Sequence, residues 1–248
     1  MKPLAFTFLT IGAIYTLLPW VVTRILGIGV FRKGGELREI ALTFDDGPNP
    51  EYTPQLLDLL RRHGVKATFF VLGAKAAQYP ELIQRIHREG HQIGLHNYEH
   101  KSNWLMMPWS VLRQVRSSAA QIEAITGEQP TFYRPPWGIF NLFDLVLLKK
   151  EFTFVLWSVL AHDWRSRVGR NRLKSILQDR ITDGSVVLLH DCGETVGADK
   201  DAPLHMLRAL SSVLPELAAR GFRCVRVDEM SGRAHSHADH DGRLSIRS

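Results

Sequence analysis

The sequence predicts an α/β fold: a distorted parallel (β/α) barrel with about seven strands, preceded by an N-terminal membrane-anchor helix. Two observations predict this fold. Short apolar segments alternate with amphipathic helical patterns from residue 39 to residue 228, and a long uncharged segment precedes them. Alternating strand and helix patterns are typical of a parallel sheet, because each helix returns the chain to the start of the next strand.

The anchor helix is predicted from Leu4 to Val22, a stretch without any charged residue. A helix of this length spans roughly 28 Å, close to the ~30 Å hydrocarbon core of a bilayer. Trp20 suits the membrane interface. We see no clear small-residue cleavage site, so we expect residues 1–33 to form an uncleaved anchor and linker. The alternative is a buried helix of the domain.

The strands and helices of the domain follow in order. The predicted strands cover residues 40–44, 67–71, 92–95, 132–133, 154–157, 186–189 and 224–227. Between the first two, a helix is expected to begin with Thr53 as N-cap and Pro54 at its first position, and to end before Gly64. The next helix begins at Pro80 and ends before Gly90. Further helices are predicted over residues 110–126, 142–149, 173–180 and 204–219.

Length and composition limit the class of protein. The 248 residues, 45% of them hydrophobic, suit one globular domain, which we place at residues 36–230. The net charge of +6 comes without a dense basic patch or a nucleic-acid motif, so we expect no nucleic-acid partner. The two cysteines are expected to be free thiols. The His-rich tail, residues 231–248, is expected to be disordered, with metal scavenging as the alternative.

Two adjacent carboxylates, Asp45 and Asp46, end the first strand, where Gly47 and Pro48 stop it. Side chains next to each other on a strand point to opposite faces. At a strand end that begins to turn, however, both can reach one cleft, one to bind a metal and the other to handle a proton. A surface turn is the alternative for this motif taken alone.

His96 and His100 follow the third strand. Residues four apart on a helical turn face the same way, so both imidazoles can reach one ion. Together with Asp46 they give three protein ligands with open positions, which is the pattern of a catalytic zinc-type site. The same donor set would also suit a non-haem iron oxygenase, but the α/β alternation does not favour that class.

Three further polar clusters follow later strands. Arg134 and Trp137 follow the fourth strand; the Arg134 fork matches a carboxylate, and the Trp137 N–H can point at a developing oxyanion. Asp163 and His190 follow the next two strands, and a carboxylate beside a histidine favours the imidazolium that a general acid requires. In a β/α barrel, active sites form at the C-terminal ends of the strands, where all five clusters lie.

These five segments resemble the motif set of the polysaccharide deacetylase family, carbohydrate esterase family 4, over residues 36–230. They are residues 43–48, 96–100, 134–138, 157–164 and 187–191, in the family's order. The resemblance implies one divalent metal ion and removal of acetyl groups from sugars. By position, Asp45 resembles the base, Arg134 its partner, His190 the acid and Asp163 the residue that tunes it. The implied metal ligands are Asp46, His96 and His100, Trp137 supplies the oxyanion donor, and Trp164 and Leu188 form the walls of the acetyl pocket.

Two positions depart from the family pattern. Asn97 stands where Ser or Thr is frequent after the first metal-binding histidine, and Leu160 stands where many members carry Asp. Asn can still form hydrogen bonds, so we expect the site to survive. The loss of Asp at Leu160 leaves less polar support for the fourth motif and makes the substrate harder to assign.

The resemblance and the predicted anchor together indicate a membrane-anchored hydrolase that removes N-acetyl groups from N-acetylglucosamine-type residues, with the domain outside the cytoplasm. Peptidoglycan is the favoured substrate, because an anchored envelope enzyme would meet it first. The metal is expected to be Zn²⁺, with Co²⁺, Ni²⁺ or Mn²⁺ as alternatives. Positive-inside counting does not fix the orientation, because Arg24, Arg32 and Lys33 follow the helix. Alternative functions are a deacylase of lipid-linked or small sugars, an O-acetyl esterase of the xylan type and an inactive glycan-binding protein. No obligate protein partner is inferred.

Overall fold

The structure, a computed structural model, describes residues 2–232, with side chains from Phe6 onward. Within these residues an 8-stranded parallel sheet forms the centre, in the order β5-β4-β3-β2-β1-β7-β6, with β8 beside β1. The strands are β1 (Glu39–Asp45), β2 (Thr68–Val71), β3 (Gln92–Leu95), β4 (Phe132–Tyr133), β5 (Thr153–Phe154), β6 (Val159–Leu160), β7 (Val186–His190) and β8 (Arg223–Cys224). The predicted parallel α/β fold is confirmed, and β6 is a short strand that the sequence did not indicate.

Helices cover the outer face of this curled sheet. They are α2 (Tyr52–Arg62), α3 (Gly73–Gln78), α4 (Pro80–Arg88), α5 (Pro108–Thr126), α6 (Gly169–Arg180) and α7 (Ala202–Ala219); the N-terminal helix α1 (Lys2–Trp20) is mostly exposed. A π-helical turn, Val21–Ile25, extends α1, and another, Asp144–Leu148, lies where a helix was predicted over residues 142–149. The short α3 was not predicted, because its 6 residues give too little periodicity to see.

The predicted cap of α2 is wrong. Thr53 lies inside the helix, and Asn49 satisfies its first turn: Asn49 Oδ1 accepts the N–H groups of Glu51 and Tyr52 at 2.9 and 3.0 Å. The Thr53 hydroxyl instead donates to Asp191 Oδ2 and accepts the Asn49 N–H. The threonine therefore ties α2 to the end of β7.

The residues of β1 alternate between two apolar clusters. Ile40, Leu42 and Phe44 face the helices, whereas Ala41 belongs to a smaller cluster with Phe70 on the other face, inside the curled sheet. All seven residues of β1 are buried, as expected for a central strand covered on both faces. The strand end at Asp45 is therefore held rigidly at the centre of the molecule.

The linker before β1 joins the sheet. Phe31 forms a parallel bridge with Val155, just beyond β5, and Lys33 forms an antiparallel bridge with Ser185, just before β7. The Phe31 ring packs against the inner cluster. Residues 31–33 thus lie across the open side of the sheet, between the ends of β5 and β7.

The N-terminal helix also contacts the domain. The Tyr15 hydroxyl donates to the Met106 carbonyl at 2.5 Å, and its ring lies 6.0 Å from that of Phe143. The stretch Phe6–Ile25 is long and apolar enough to cross a membrane by length and composition alone, and only 11% of it is buried. A signal sequence meets the same criterion, but the low burial does not suit a core helix.

Cys192 and Cys224 are free, as expected. In the apolar segment of residues 104–109, Trp104 is partly buried and donates to the Phe140 carbonyl at 3.0 Å, whereas Leu105 and Trp109 are 89% and 63% exposed. The predicted disordered tail lies beyond residue 232 and so outside the described residues.

Candidate active site

The five predicted segments meet at one cavity of about 370 Å³ at the C-terminal ends of the strands. The register of β1 and β7 places Asp45 directly beside His190. Eight of the predicted site residues line the cavity: Asp45, Asp46, His96, His100, Trp137, Trp164, Leu188 and His190. The other two, Arg134 and Asp163, lie buried behind it.

Asp46, His96 and His100 form a cluster that fits a divalent cation. One ligand atom from each residue lies within 4.8 Å of the others, and both imidazole Nε2 atoms are 3.3 Å from Asp46 Oδ1. Asp46 Oδ1 is buried without a hydrogen-bond partner among the described residues. A buried carboxylate oxygen facing two ring nitrogens matches the donor set of a catalytic zinc site with open positions.

The protonation of this cluster also suits a cation. Burial alone would raise the pKa of Asp46, but the neighbouring rings of His96 and His100 and the charge of His190 hold it well below its usual value. Burial lowers the pKa of His100 to about 4, so its imidazole is neutral at pH 7. The His96 Nδ1–H donates to the Arg134 carbonyl at 2.7 Å, which turns Nε2 toward Asp46.

Asp45 is paired with a fully buried cation. Arg134 Nη1 donates to Asp45 Oδ1 at 2.7 Å and to Thr43 Oγ1 at 2.8 Å. Its remaining donors reach the carbonyls of Val155 and Leu156, so the guanidinium is well satisfied. This arrangement fixes the rotamer of Asp45 and leaves Asp46 free for another role.

Backbone strain concentrates at this site. Asp46, Asn97 and Trp137 have φ angles of 76°, 65° and 57°, in the left-handed region that non-glycine residues rarely adopt. Such strain costs of order 1–3 kcal/mol per residue and persists where the surroundings impose it. At Trp137 the turn follows Pro135 and Pro136, and the ring lies edge-on to His100 at a centroid distance of 4.3 Å. The predicted oxyanion donor is therefore held at the edge of the metal-ligand cluster.

His190 and Asp163 form a doubly hydrogen-bonded pair. Asp163 Oδ1 is 2.9 Å from His190 Nδ1, and Oδ2 accepts the His190 backbone N–H at 2.6 Å. Burial would lower the pKa of His190, but the charge and hydrogen bond of Asp163, with Asp46 and Asp45 beyond it, raise it to about 9. The imidazole is therefore cationic at neutral pH, with Nε2 left for a substrate.

The predicted acetyl pocket has an aromatic and an aliphatic side. The Trp164 ring lies edge-on to His190 at 5.4 Å, and Leu188, 4% exposed, precedes His190 on the same face of β7. Leu160 adds a half-buried apolar side chain to the cavity where many family members carry a carboxylate. The cavity wall beside His190 is consequently less polar than the family pattern implies.

Two polar features escaped the sequence analysis. Thr195 Oγ1 donates to Asp46 Oδ2 at 2.6 Å from a loop after β7, and no sequence pattern marks it. Asn97 is fully buried; Tyr133 donates to its Oδ1 at 2.7 Å, and its Nδ2 donates to Asn103 Oδ1 at 2.8 Å. The substitution at Asn97 therefore keeps a polar support behind the His96 loop, as expected.

Comparisons with known proteins agree with this geometry. Residues 32–149 match the family described as polysaccharide deacetylase. A peptidoglycan-N-acetylglucosamine deacetylase from Listeria monocytogenes is 37% identical over 195 residues, 79% of this chain and 39% of that protein. A chitooligosaccharide deacetylase from a Bradyrhizobium strain is 37% identical over 196 residues, 75% of this chain and 87% of that protein. The solved structure of peptidoglycan deacetylase PdaC from Bacillus subtilis has a TM-score of 0.74 at 29% identity, covering 86% and 98% of the two chains.

The fold and the site define a parallel α/β barrel with an Asp-His-His cluster at the C-terminal ends of its strands. The chain belongs to the polysaccharide deacetylase family. It spans well under half the length of the Listeria relative, 39%, so the activity of the whole relative is not carried over with the family.

Proposed function

We propose that this protein is a metal-dependent hydrolase that removes N-acetyl groups from N-acetylglucosamine-type residues of a cell-envelope glycan, with peptidoglycan as the favoured polymer. One observation carries the proposal: a paired carboxylate, an Asp-His-His cluster and a carboxylate-supported imidazolium face one cavity. Relatives named as peptidoglycan and chitooligosaccharide deacetylases support this substrate class.

Asp46, His96 and His100 would hold the metal ion. Zn²⁺ is expected for a set of two imidazoles and one carboxylate, with Co²⁺, Ni²⁺ or Mn²⁺ as alternatives. When bound there, a divalent cation supplies Lewis acidity to the acetyl carbonyl and acidifies water. Thr195 would hold the second oxygen of Asp46, so that Oδ1 stays directed at the ion.

The remaining catalytic roles would be carried out by side chains and backbone groups of the chain itself. Asp45, oriented by Arg134, accepts a proton from the attacking water. The Trp137 backbone N–H donates to the oxyanion that develops on the acetyl carbonyl oxygen; one such donor is typically worth ~10²–10³ in turnover. His190 protonates the departing sugar nitrogen, which is too basic to leave as an anion. Leu188 and Trp164 exclude water around the acetyl methyl group.

We further propose that residues 1–33 anchor the protein in the membrane and that the domain over residues 36–230 faces the outside, where envelope glycans lie. The apolar and mostly exposed Phe6–Ile25 stretch supports an anchor. Tyr15 lies inside this stretch, so its contact with the Met106 carbonyl would then require the segment around Met106 to enter the bilayer.

Acetate release tests the activity. The full chain, purified in detergent and supplied with Zn²⁺, is expected to release acetate from peptidoglycan and chitin oligomers faster than from acetylated xylan, and Asp45→Asn to abolish the release. Release from xylan alone would favour an O-acetyl esterase. Glycan binding without release from any of the three substrates would favour an inactive binding protein.

A further inference from the structure

A second cavity, of about 250 Å³, adjoins the catalytic one. Three arginines from separate segments line it: Arg24 from the turn that extends α1, Arg32 from the linker and Arg180 from the end of α6. We call it the arginine cavity. It shares Arg24, Trp157 and Leu160 with the catalytic cavity, so the two cavities are adjacent.

The positive charge of the arginine cavity is not balanced. No carboxylate lines it, and none of the ion pairs found among the described side chains includes Arg24, Arg32 or Arg180. Asp179, next to Arg180, accepts a hydrogen bond from Ser175 instead. Like charges collected in one concavity repel each other, and an anion between them would relieve that repulsion.

The contacts within the cavity hold two of the guanidinium groups in place. The Arg24 guanidinium lies 4.1 Å from the centroid of the Trp157 ring, and Arg32 Nη1 donates to the Arg24 carbonyl at 3.1 Å. Arg134, the partner of Asp45, lies 5.6 Å from the centroid of the same ring. An anion bound to Arg24 would thus be separated from the catalytic pair by little more than the Trp157 side chain.

The position of the arginine cavity limits which anions are expected to bind there. Arg24 lies at the C-terminal end of the apolar stretch that the proposed function places in the membrane, so the cavity would lie at the membrane surface. Guanidinium forks match phosphate oxygens bidentately, and three of them suit a group with several charged oxygens better than a single carboxylate.

Building on the proposed function, we propose that the arginine cavity binds a phosphate group of the substrate itself. The substrate class is an N-acetylated sugar joined through a phosphate ester to a membrane lipid, with the acetyl group in the catalytic cavity and the phosphate among Arg24, Arg32 and Arg180. The reaction would then act on lipid-carried glycan at the membrane as well as on glycan without phosphate.

The test compares matched substrates. The full chain in detergent, loaded with Zn²⁺, is assayed for acetate release from di-N-acetylchitobiose and from its 1-phosphate. The phosphate is expected to raise kcat/KM at least tenfold. Arg180→Gln, which removes a guanidinium on the cavity side away from the Asp-His-His cluster, is expected to lower the ratio of the two kcat/KM values about tenfold, roughly 1.4 kcal/mol. Arg172→Gln, on the exposed surface of the same helix, is the matched control and should leave the ratio unchanged.

Two further experiments show whether the phosphate belongs to a lipid-linked sugar or to a soluble sugar phosphate. A prenyl diphosphate ester of N-acetylglucosamine in phosphatidylcholine vesicles should be a better substrate than the soluble 1-phosphate if the lipid is recognised at the membrane. Equal rates would assign the cavity to soluble sugar phosphates and contradict the lipid part of the proposal. Inorganic pyrophosphate should inhibit the native protein and inhibit Arg180→Gln more weakly.

The inference and the proposed function can fail separately. If di-N-acetylchitobiose loses acetate but its phosphate changes nothing, the arginine cavity is not a phosphate site and the proposed function stands. If no acetylated sugar is hydrolysed, the proposed function fails. Pyrophosphate binding, measured by calorimetry on the native protein and on Arg180→Gln, would then still decide whether the arginines bind phosphate.

Discussion

Asp45 and Asp46 are neighbours in the chain, yet their surroundings separate their chemistry. Asp45 points at the buried cation of Arg134, whereas the left-handed backbone at Asp46 turns its carboxylate toward two imidazoles. A strand that continued regularly would send the two side chains to opposite faces of the sheet. The strained residue is what would let one strand end supply both the proposed base and the proposed metal ligand.

Replacing Asp45 by Asn tests this division. The amide cannot accept the proton of the attacking water, so we expect turnover to fall ~10²–10⁴-fold while the metal content stays the same. The buried Arg134 cation loses its counter-charge, so the melting temperature should also fall. Metal analysis of Asp45→Asn beside Asp46→Asn decides the assignment: if Asp45→Asn is the variant that loses metal, the two carboxylates have exchanged roles.

His190 gives a pH prediction whose sign follows from its partners. Its pKa of about 9 means that the acid form is present at neutral pH and is lost as pH rises through about 9. Asp163→Asn removes the charge that opposes the effect of burial, so the pKa should fall and the alkaline limb of kcat/KM should move to lower pH. The stability contributed by the raised pKa is likewise fully present below the unfolded value of ~6.5 and lost as pH rises through about 9. If the alkaline limb of kcat/KM does not move in Asp163→Asn, a group other than His190 determines the pKa of that limb.

His190→Ala separates an acid from a merely structural residue. A sugar nitrogen must be protonated to leave, whereas an aryl oxide leaves unaided. We therefore expect His190→Ala to reduce N-deacetylation far more than hydrolysis of an activated aryl acetate, measured as kcat/KM on both substrates. Equal losses on the two substrates would show that His190 does not protonate the leaving group.

The sequence predicted which residues meet at the site, but not which residues from irregular segments support them there. His96, His100 and Asp46 could be grouped because each follows a strand of one parallel sheet, so their meeting depends only on the fold. Thr195 and Arg24 reach the site from a loop and from the end of α1. Their positions depend on the path of irregular segments, which periodicity does not encode.

The linker before β1 pairs with the sheet, which the sequence did not suggest. Residues 31–33 pair with backbone on both sides of the open sheet, although the expected domain began at residue 36. The short β6 and α3 were also missed, since two and six residues carry no usable period. The longer elements were predicted because their apolar spacing is regular, as in α5, which ends at the left-handed Gly127.

Two shortened chains test the linker. A chain beginning at Gly27 keeps the Phe31 pairing, whereas one beginning at Gly34 removes it, together with a ring that packs against the inner cluster. We expect the Gly27 chain to have the higher melting temperature, with the cost of the lost, partly buried Phe31 side chain below the roughly 1.5–3 kcal/mol of a fully buried one. Thermal unfolding of both proteins measures the difference. Identical melting temperatures would show that residues 31–33 lie on the barrel without stabilising it.

For the whole molecule, metal and stability should be linked. Without a cation, the buried Asp46 Oδ1 faces two imidazoles with no hydrogen bond, so a bound ion should stabilise the folded state. At a Zn²⁺ concentration of 100 Kd the gain would be ~2.7 kcal/mol. Melting temperature across a Zn²⁺ titration after chelation measures it, with His100→Ala as the control. The same rise in His100→Ala would place the stabilising ion elsewhere in the protein.

The pairing of Phe31 also fixes a length. If α1 spans a membrane, residues 26–30 are all that separates its end from the barrel, and they reach at most roughly 18 Å when extended. Such an enzyme cannot travel outward through a thick wall. Its reach would restrict it to the layer of glycan nearest the bilayer and leave glycan farther out unmodified.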